Sequence, residues 1–169
     1  IHLFGQAAPM EDILSIAKEN QIFVVEDNAQ SIGANYTFSD GSKMKTGTIG
    51  EVGTTSFFPS KNLGAYGDGG AIFTNDDKLA QTLRGMVNHG MYERYHHDVV
   101  GVNSRLDSIQ AAVLDIKLEY LDHYNELRKA AAAKYTQCLN NHPEIKTPFR
   151  IGDCDSHVYH QYTLRVSEA

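Results

Sequence analysis

Lys61 is the residue whose setting most invites chemistry. It lies in Ser56-Phe57-Phe58-Pro59-Ser60-Lys61-Asn62-Leu63-Gly64-Ala65-Tyr66-Gly67-Asp68-Gly69-Gly70, a glycine-rich loop between a β-rich run at 54–58 and a second apolar run at 70–74. Lysine is seldom buried without a partner. A lysine held by a tight loop between buried strands can lose its proton and attack carbonyls as a nucleophile. A solvated turn lysine is the plainer reading of the loop alone, because loops lie on the surface. A second group upstream gives Lys61 its weight.

That group is Asp27. Ile22-Phe23-Val24-Val25 is a continuous apolar run, the pattern of a parallel strand buried on both faces, and it leads into Glu26-Asp27-Asn28-Ala29-Gln30. A helix is predicted ahead of it over 9–20. Pro9 suits its first turn, Glu11 and Asp12 suit its positive end, Lys18 suits the other end, and Met10, Ile13, Leu14 and Ala17 share one face. With a short strand at 1–4, the order strand–helix–strand implies an α/β sheet. Ligands of such sheets sit outside the carboxyl ends of the strands, where Asp27 falls. Asp27 can cap a helix. It can also face the pyridine nitrogen of a cofactor, where a carboxylate favours the protonated, electron-withdrawing ring. An amine that seeks an aldehyde and a carboxylate that seeks a ring nitrogen together point to pyridoxal phosphate, with Lys61 joined to it as an imine.

The remaining elements must carry these two groups. Residues 36–53 are polar and glycine-rich and read as hairpin-like turns. A helix capped by Asn75 or Asp76 runs to about residue 88, with Leu79, Ala80, Leu83, Met86 and Val87 inward and Gly90 as its stop. His96 and His97 are adjacent, but no third ligand has the spacing of a metal site, so no metal is expected. A long helical stretch begins at Ser104 or Asp107 and continues to about residue 139, with Leu106, Ile109, Val113, Ile116 and Leu121 in period. Asn140-Asn141-His142-Pro143 ends it. Residues 145–150 and 159–166 read as strands of a second, smaller domain.

Composition narrows the class. The 169 residues suffice for a proper core, and 41% hydrophobic with 21% charged residues reads as globular. A net charge of -6 argues against a nucleic-acid binder. No run approaches the roughly 20 apolar residues of a membrane span. Cys138 and Cys154 suggest neither a metal site nor a disulfide framework, so the expected setting is reducing and cytoplasmic. Both ends read as cuts through a larger protein.

Four segments carry a family resemblance across essentially the whole chain. They are Val25-Glu26-Asp27-Asn28-Ala29-Gln30-Ser31-Ile32-Gly33-Ala34, Ser56-Phe57-Phe58-Pro59-Ser60-Lys61-Asn62-Leu63-Gly64, Gly67-Asp68-Gly69-Gly70-Ala71 and Gly101-Val102-Asn103-Ser104-Arg105-Leu106-Asp107-Ser108-Ile109-Gln110-Ala111-Ala112. In order and at this spacing they resemble the DegT/StrS family of nucleotide-sugar aminotransferases. The resemblance implies a fold-type I pyridoxal-phosphate enzyme: a mixed, mostly parallel sheet flanked by helices. Residues 1–120 would be part of the cofactor-binding large domain. Residues 121–169 would be a linking helix and the start of a small α+β C-terminal domain. A preceding segment of the family pattern would add a Gly-Thr turn for the phosphate and an aromatic ring against the cofactor.

The same resemblance assigns roles. Asp27 pairs with the pyridine nitrogen, Gln30 lies near the ring hydroxyl, Ser56 bonds the phosphate, and Lys61 is the Schiff-base lysine. Asn103 reaches the cofactor phosphate of a neighbouring subunit, which implies a homodimer with shared sites. Each has a plainer role open to it: Gln30 on a helix surface, Ser56 as a strand hydroxyl, Asn103 as a helix cap. Glutamate is the expected donor and a nucleotide-linked keto-sugar the acceptor, 3-keto rather than 4-keto, from the Tyr95-His96-His97 and Asn103-Ser104-Arg105 segments. A dehydratase relative and a non-catalytic regulatory module of the same fold are the alternatives. Lys61 weighs against the dehydratases, which lack that lysine.

Overall fold

A computed structural model describes residues 1–167. The chain runs α1 (Met10–Asn20), β1 (Val25–Asp27), a hairpin of β2 (Asn35–Thr37) and β3 (Lys43–Lys45), β4 (Val52–Ser56), β5 (Gly70–Phe73) and α2 (Asp77–Met86). A short hairpin of β6 (Met91–Glu93) and β7 (His96–His97) follows, then α3 (Ser108–Leu118), α4 (Leu121–Leu139), β8 (Ile145–Lys146) and β9 (Arg165–Val166). The central sheet is mixed, as the α/β reading expects. Its order is β1-β4-β5, with β1 parallel and β5 antiparallel to β4.

The amphipathic pattern of α1 forms a real core. Met10 and Ala17 pack with Val24, and Ile13, Leu14, Tyr36 and Ile49 close around them. Burying side chains such as Met10 and Val24 contributes about 1.5–3 kcal/mol each. A second core gathers Phe57, Leu63 and Ala65 of the lysine loop with Leu114 of α3 and Leu121 of α4. The loop that carries Lys61 is therefore anchored by helices distant in sequence. The caps follow the sequence signals: Asp76 accepts from the amides of Lys78 and Leu79, and Asp107 from that of Ile109.

Several expectations are corrected. The run at 22–25 is not covered on both faces: the strand begins at Val25, and Ile22, Phe23 and Val25 are 58%, 83% and 63% exposed. Only the side of Val24 and Glu26 is buried, with Val24 packed against α1. Residues 1–4 form no strand. Leu3–Gly5 is a 3-10 turn in which Phe4 has a φ of 60°. That left-handed backbone is held in place because the Phe4 amide donates to Gln30 Oε1 at 2.6 Å. The single long helix is two. The Tyr120 amide turns back to the Lys117 carbonyl, and φ and ψ of Tyr120, -103° and 0°, leave the helical well before α4 starts. No glycine or proline marks this break, so the hydrophobic period runs through it unseen. Pro9 stands just before α1 rather than within its first turn.

The strands expected at 145–150 and 159–166 shrink to β8 and β9, which pair antiparallel. The backbone between them is committed elsewhere. Val158 donates to the Gly5 carbonyl, Gln161 to that of Phe4, and Ile151 to Gln6 Oε1. Residues 151–161 are thus stitched to residues 4–7.

His157 lies in this seam, 2% exposed and stacked on Tyr159 with ring centroids 3.8 Å apart. Burial holds it well below its usual range, at about 4. Its neutral form is favoured in the fold, so stability is complete above the unfolded value near 6.5 and is lost as pH falls toward 4. Denaturant titration of the protein at pH 7 and pH 5 is expected to show a loss of about 2 kcal/mol from this residue. His157→Phe is expected to flatten that slope.

Candidate active site

The candidate site grows from the parallel pairing of β1 with β4. Asp27 stands opposite Thr54, and Ser56 follows two residues later. Aligned residues of a parallel pair point to one side, and strand side chains alternate. Asp27, Thr54 and Ser56 therefore share the open face of the sheet at its carboxyl edge. Asp27 caps no helix. Its Oδ1 accepts from the Ala29 amide at 3.1 Å and shapes the turns over 29–33. Its other carboxylate oxygen accepts no hydrogen bond among the described residues.

Gln30 lies in those turns rather than on a helix. Accepting the Phe4 amide fixes which end of its side chain is oxygen, leaving Nε2 to donate elsewhere. Ser56 ends β4 and its Oγ accepts from the Phe58 amide at 3.2 Å, so its own hydrogen can be donated outward. Lys61 follows in the loop, half-buried, with its amide bonded to the Phe58 carbonyl. Its ammonium makes no ion pair or hydrogen bond among the described residues. Burial pushes His160 below its usual range, and the positive charges of Lys61 and Arg128 push it the same way. The loop is tight: a Cβ on Gly64 would meet the Pro59 carbonyl oxygen at 2.4 Å.

Asn103 lies in a different segment, between α2 and α3. It is exposed, pairs in a single bridge with Asn88, and its Oδ1 accepts from Arg105 Nε. It lines an open groove of about 1100 Å³ between β5, α2 and the 103–106 segment. Thr54 and Gly70 also line that groove, whereas Asp27, Gln30, Ser56 and Lys61 do not. It does not cap α3, which is the role of Asp107.

A supporting network escaped the sequence reading. Glu26, 2% exposed, turns away from the open face. Its carboxylate accepts from His2 Nε2 at 2.8 Å and from the amides of Gly47, Ile49 and Gly50 at 2.8, 2.6 and 2.7 Å. His2 Nδ1 accepts from the Ala8 amide, so the ring proton sits on Nε2 and is donated to Glu26. Burial alone would raise the Glu26 carboxyl, but these donors outweigh it and hold it below the usual carboxylate range. The Asp27 carbonyl accepts from the His2 amide, so the same network ends on the residue that carries the candidate carboxylate. The only sequence signal for Glu26 was its place beside Asp27.

The lysine loop is held from outside. Lys117 Nζ donates to the Gly64 carbonyl and Gln110 Oε1 accepts from the Tyr66 amide. Asn62, next to Lys61, donates through Nδ2 to Asn125 Oδ1 at 2.7 Å and to the Val158 carbonyl at 3.2 Å. Its own Oδ1 is buried without a partner.

Known proteins resemble this chain along its whole length. The model of the DegT/DnrJ/EryC1/StrS aminotransferase family matches residues 1–169. The chain belongs to that family. It is 49% identical over 166 residues to the UDP-2-acetamido-2-deoxy-3-oxo-D-glucuronate aminotransferase of Pseudomonas aeruginosa, covering 98% of this chain and 44% of that protein. It is 48% identical over 168 residues to a protein of Geobacillus stearothermophilus named pleiotropic regulatory protein, with coverage of 98% and 44%. Among solved structures, a DegT/DnrJ/EryC1/StrS aminotransferase from Brucella abortus superposes with a TM-score of 0.89 at 41% identity, covering 98% of this chain and 43% of that one. The Bacillus subtilis protein NtdA with bound cofactor PMP superposes at 0.82 and 29% identity, with coverage of 98% and 37%. The chain thus spans less than half the length of these relatives. The fold is the mixed α/β sheet of this family. No helix among the described residues is long and apolar enough to cross a membrane.

Glu26→Ala would leave four buried donors without an acceptor. It is expected to cost about 3–5 kcal/mol of folding stability. Glu26→Gln, which keeps one acceptor oxygen, is expected to cost less. Thermal and urea unfolding of the two variants beside the parent protein checks the order.

Proposed function

We propose that the protein containing this chain is a pyridoxal-phosphate-dependent aminotransferase. It moves the amino group of glutamate to a nucleotide-linked keto-sugar, leaving 2-oxoglutarate and an amino sugar. The observation that carries this reading is the donor set at the carboxyl edge of β1 and β4. It offers a carboxylate oxygen, an amide donor and a hydroxyl, each with bonding capacity to spare, and the loop that leaves β4 carries the amine of Lys61. Those groups fit a cofactor that presents a ring nitrogen, a ring hydroxyl, a phosphate and an aldehyde. Asp27 holds the nitrogen protonated, Gln30 Nε2 donates toward the ring hydroxyl, Ser56 donates to the phosphate, and Lys61 is the Schiff-base lysine. The bound PMP described for the Bacillus subtilis relative supports the cofactor.

Pyridoxal phosphate, when bound, supplies an aldehyde that takes up the amino group and a ring that draws off the electron pair freed at the neighbouring carbon. With the cofactor bound, Lys61 would serve as the base that takes a proton from the amino-bearing carbon of glutamate and returns one for the sugar. It must be neutral to do so. Asn103 reaches the phosphate of a partner subunit's cofactor in a homodimer with shared sites. Residues 1–120 belong to the large domain, and the chain from 121 onward is a linking helix and the start of the small one. The setting is cytoplasmic.

The Pseudomonas aeruginosa relative, named for a 3-oxo sugar, supports a 3-keto acceptor. A regulatory role on the same fold is the second reading. It is favoured by the name of the Geobacillus stearothermophilus relative.

The test is full-length protein incubated with pyridoxal phosphate. A visible absorbance band, lost in Lys61→Ala, and borohydride labelling mapped to Lys61 are expected. Bleaching of the band by glutamate distinguishes amino transfer from dehydration. Protein that stays colourless overturns the enzyme reading and leaves the regulatory one.

A further inference from the structure

Asn125 lies on α4, nearly 100 residues from Asp27 in sequence, and is 3% exposed. A buried side-chain amide in a helix interior needs partners for both ends. Both ends of this one go to the segments that carry the cofactor groups. Nδ2 donates to the Ile32 carbonyl at 3.1 Å, in the turns that follow Asp27 and Gln30. Oδ1 accepts from Asn62, the residue after Lys61, at 2.7 Å. Among the described residues, no other side chain bonds to both the 28–33 turns and the 57–66 loop.

The backbone is shaped to admit it. Gly33 has a φ of +88°, and a Cβ there would stand 2.5 Å from Asn125 Nδ2. Any other residue at 33 would be strained and would also push the amide away. One turn before Asn125, Leu121 enters the apolar cluster under the loop, so the helix that bears the amide is itself fixed. One turn after it, Arg128 holds the carbonyls of Tyr159 and His160.

We propose that Asn125 is a positioning residue that sets the separation between the Asp27 arm and the Lys61 arm of the cofactor site. The inference rests on the reading that these two residues grip pyridoxal phosphate. Asn125 touches neither the cofactor nor a substrate. It acts by tying two loops to one rigid point, so that ring nitrogen and aldehyde are met together. With the tie cut, each loop keeps its own residue, but the two are no longer held in register.

The experiment uses full-length protein carrying Asn125→Ala, and Asn125→Asp as a milder variant. The aspartate keeps an acceptor for Asn62 and sets a carboxylate oxygen against the Ile32 carbonyl. Three quantities are read: the pH midpoint of the visible band of the cofactor-loaded protein, the dissociation rate of the cofactor, and the melting temperature of the cofactor-free protein. Both variants are expected to be labelled at Lys61 by borohydride and to show a shifted pH midpoint; Asn125→Asp, which loses one buried hydrogen bond, is expected to release cofactor about tenfold faster, and Asn125→Ala, which loses both, faster still. A lower melting temperature with the parent's pH midpoint and release rate overturns the inference and leaves Asn125 a packing residue. Parent protein that is not labelled at Lys61 overturns the underlying cofactor reading, and this inference with it.

Discussion

A buried carboxylate with four donors is the constraint on which the rest of the structure depends. Glu26 draws His2, Gly47, Ile49 and Gly50 onto one point beneath β1. An ionised group in the interior is tolerated only when its acceptor sites are filled. Once they are, the strand, the chain's first residues and the loop entering β4 cannot move independently. Side chains alternate along a strand, so holding Glu26 inward turns Asp27 outward. The polar group that the fold must bury thus orients the carboxylate that the open face presents.

The lysine loop is constrained differently. It has little secondary structure of its own between Ser56 and Gly70, and it is shaped by apolar contacts and by amides and amines from α3 and α4. A loop held by side chains from two helices can be rigid at its base and still present Lys61 free of any partner. The unpartnered oxygen of Asn62 beside it costs about 1–3 kcal/mol if it stays dry. Such local expense is characteristic of places where geometry serves something other than stability.

The open face of the sheet belongs to the same logic. Val25 and Ile72 are 63% and 45% exposed on the side where Asp27, Thr54 and Ser56 also point. The family's relatives are more than twice this chain's length. A sheet with one side packed and the other carrying both apolar and candidate binding groups suits a site that further protein completes.

The sequence by itself determined the elements whose cause is local. The amphipathic face of α1, the caps at Asp76 and Asp107, and the parallel strand ending in Asp27 follow from spacing and side-chain chemistry within a few residues. Lys61, Asp27, Gln30, Ser56 and Asn103 stood out as candidates because their motifs stand together in order. Only the tertiary structure decided what depends on distant partners. The break at Tyr120 has no breaker residue, the chain's start became a 3-10 turn because Gln30 holds Phe4, and the strands at 145–150 and 159–166 shortened because their backbone bonds to residues 4–6. His2, Glu26 and Asn125 were invisible as a framework for the same reason. A buried hydrogen bond between residues 24 or 63 positions apart leaves no periodicity in either segment, and its geometry exists only once the chain has closed around it.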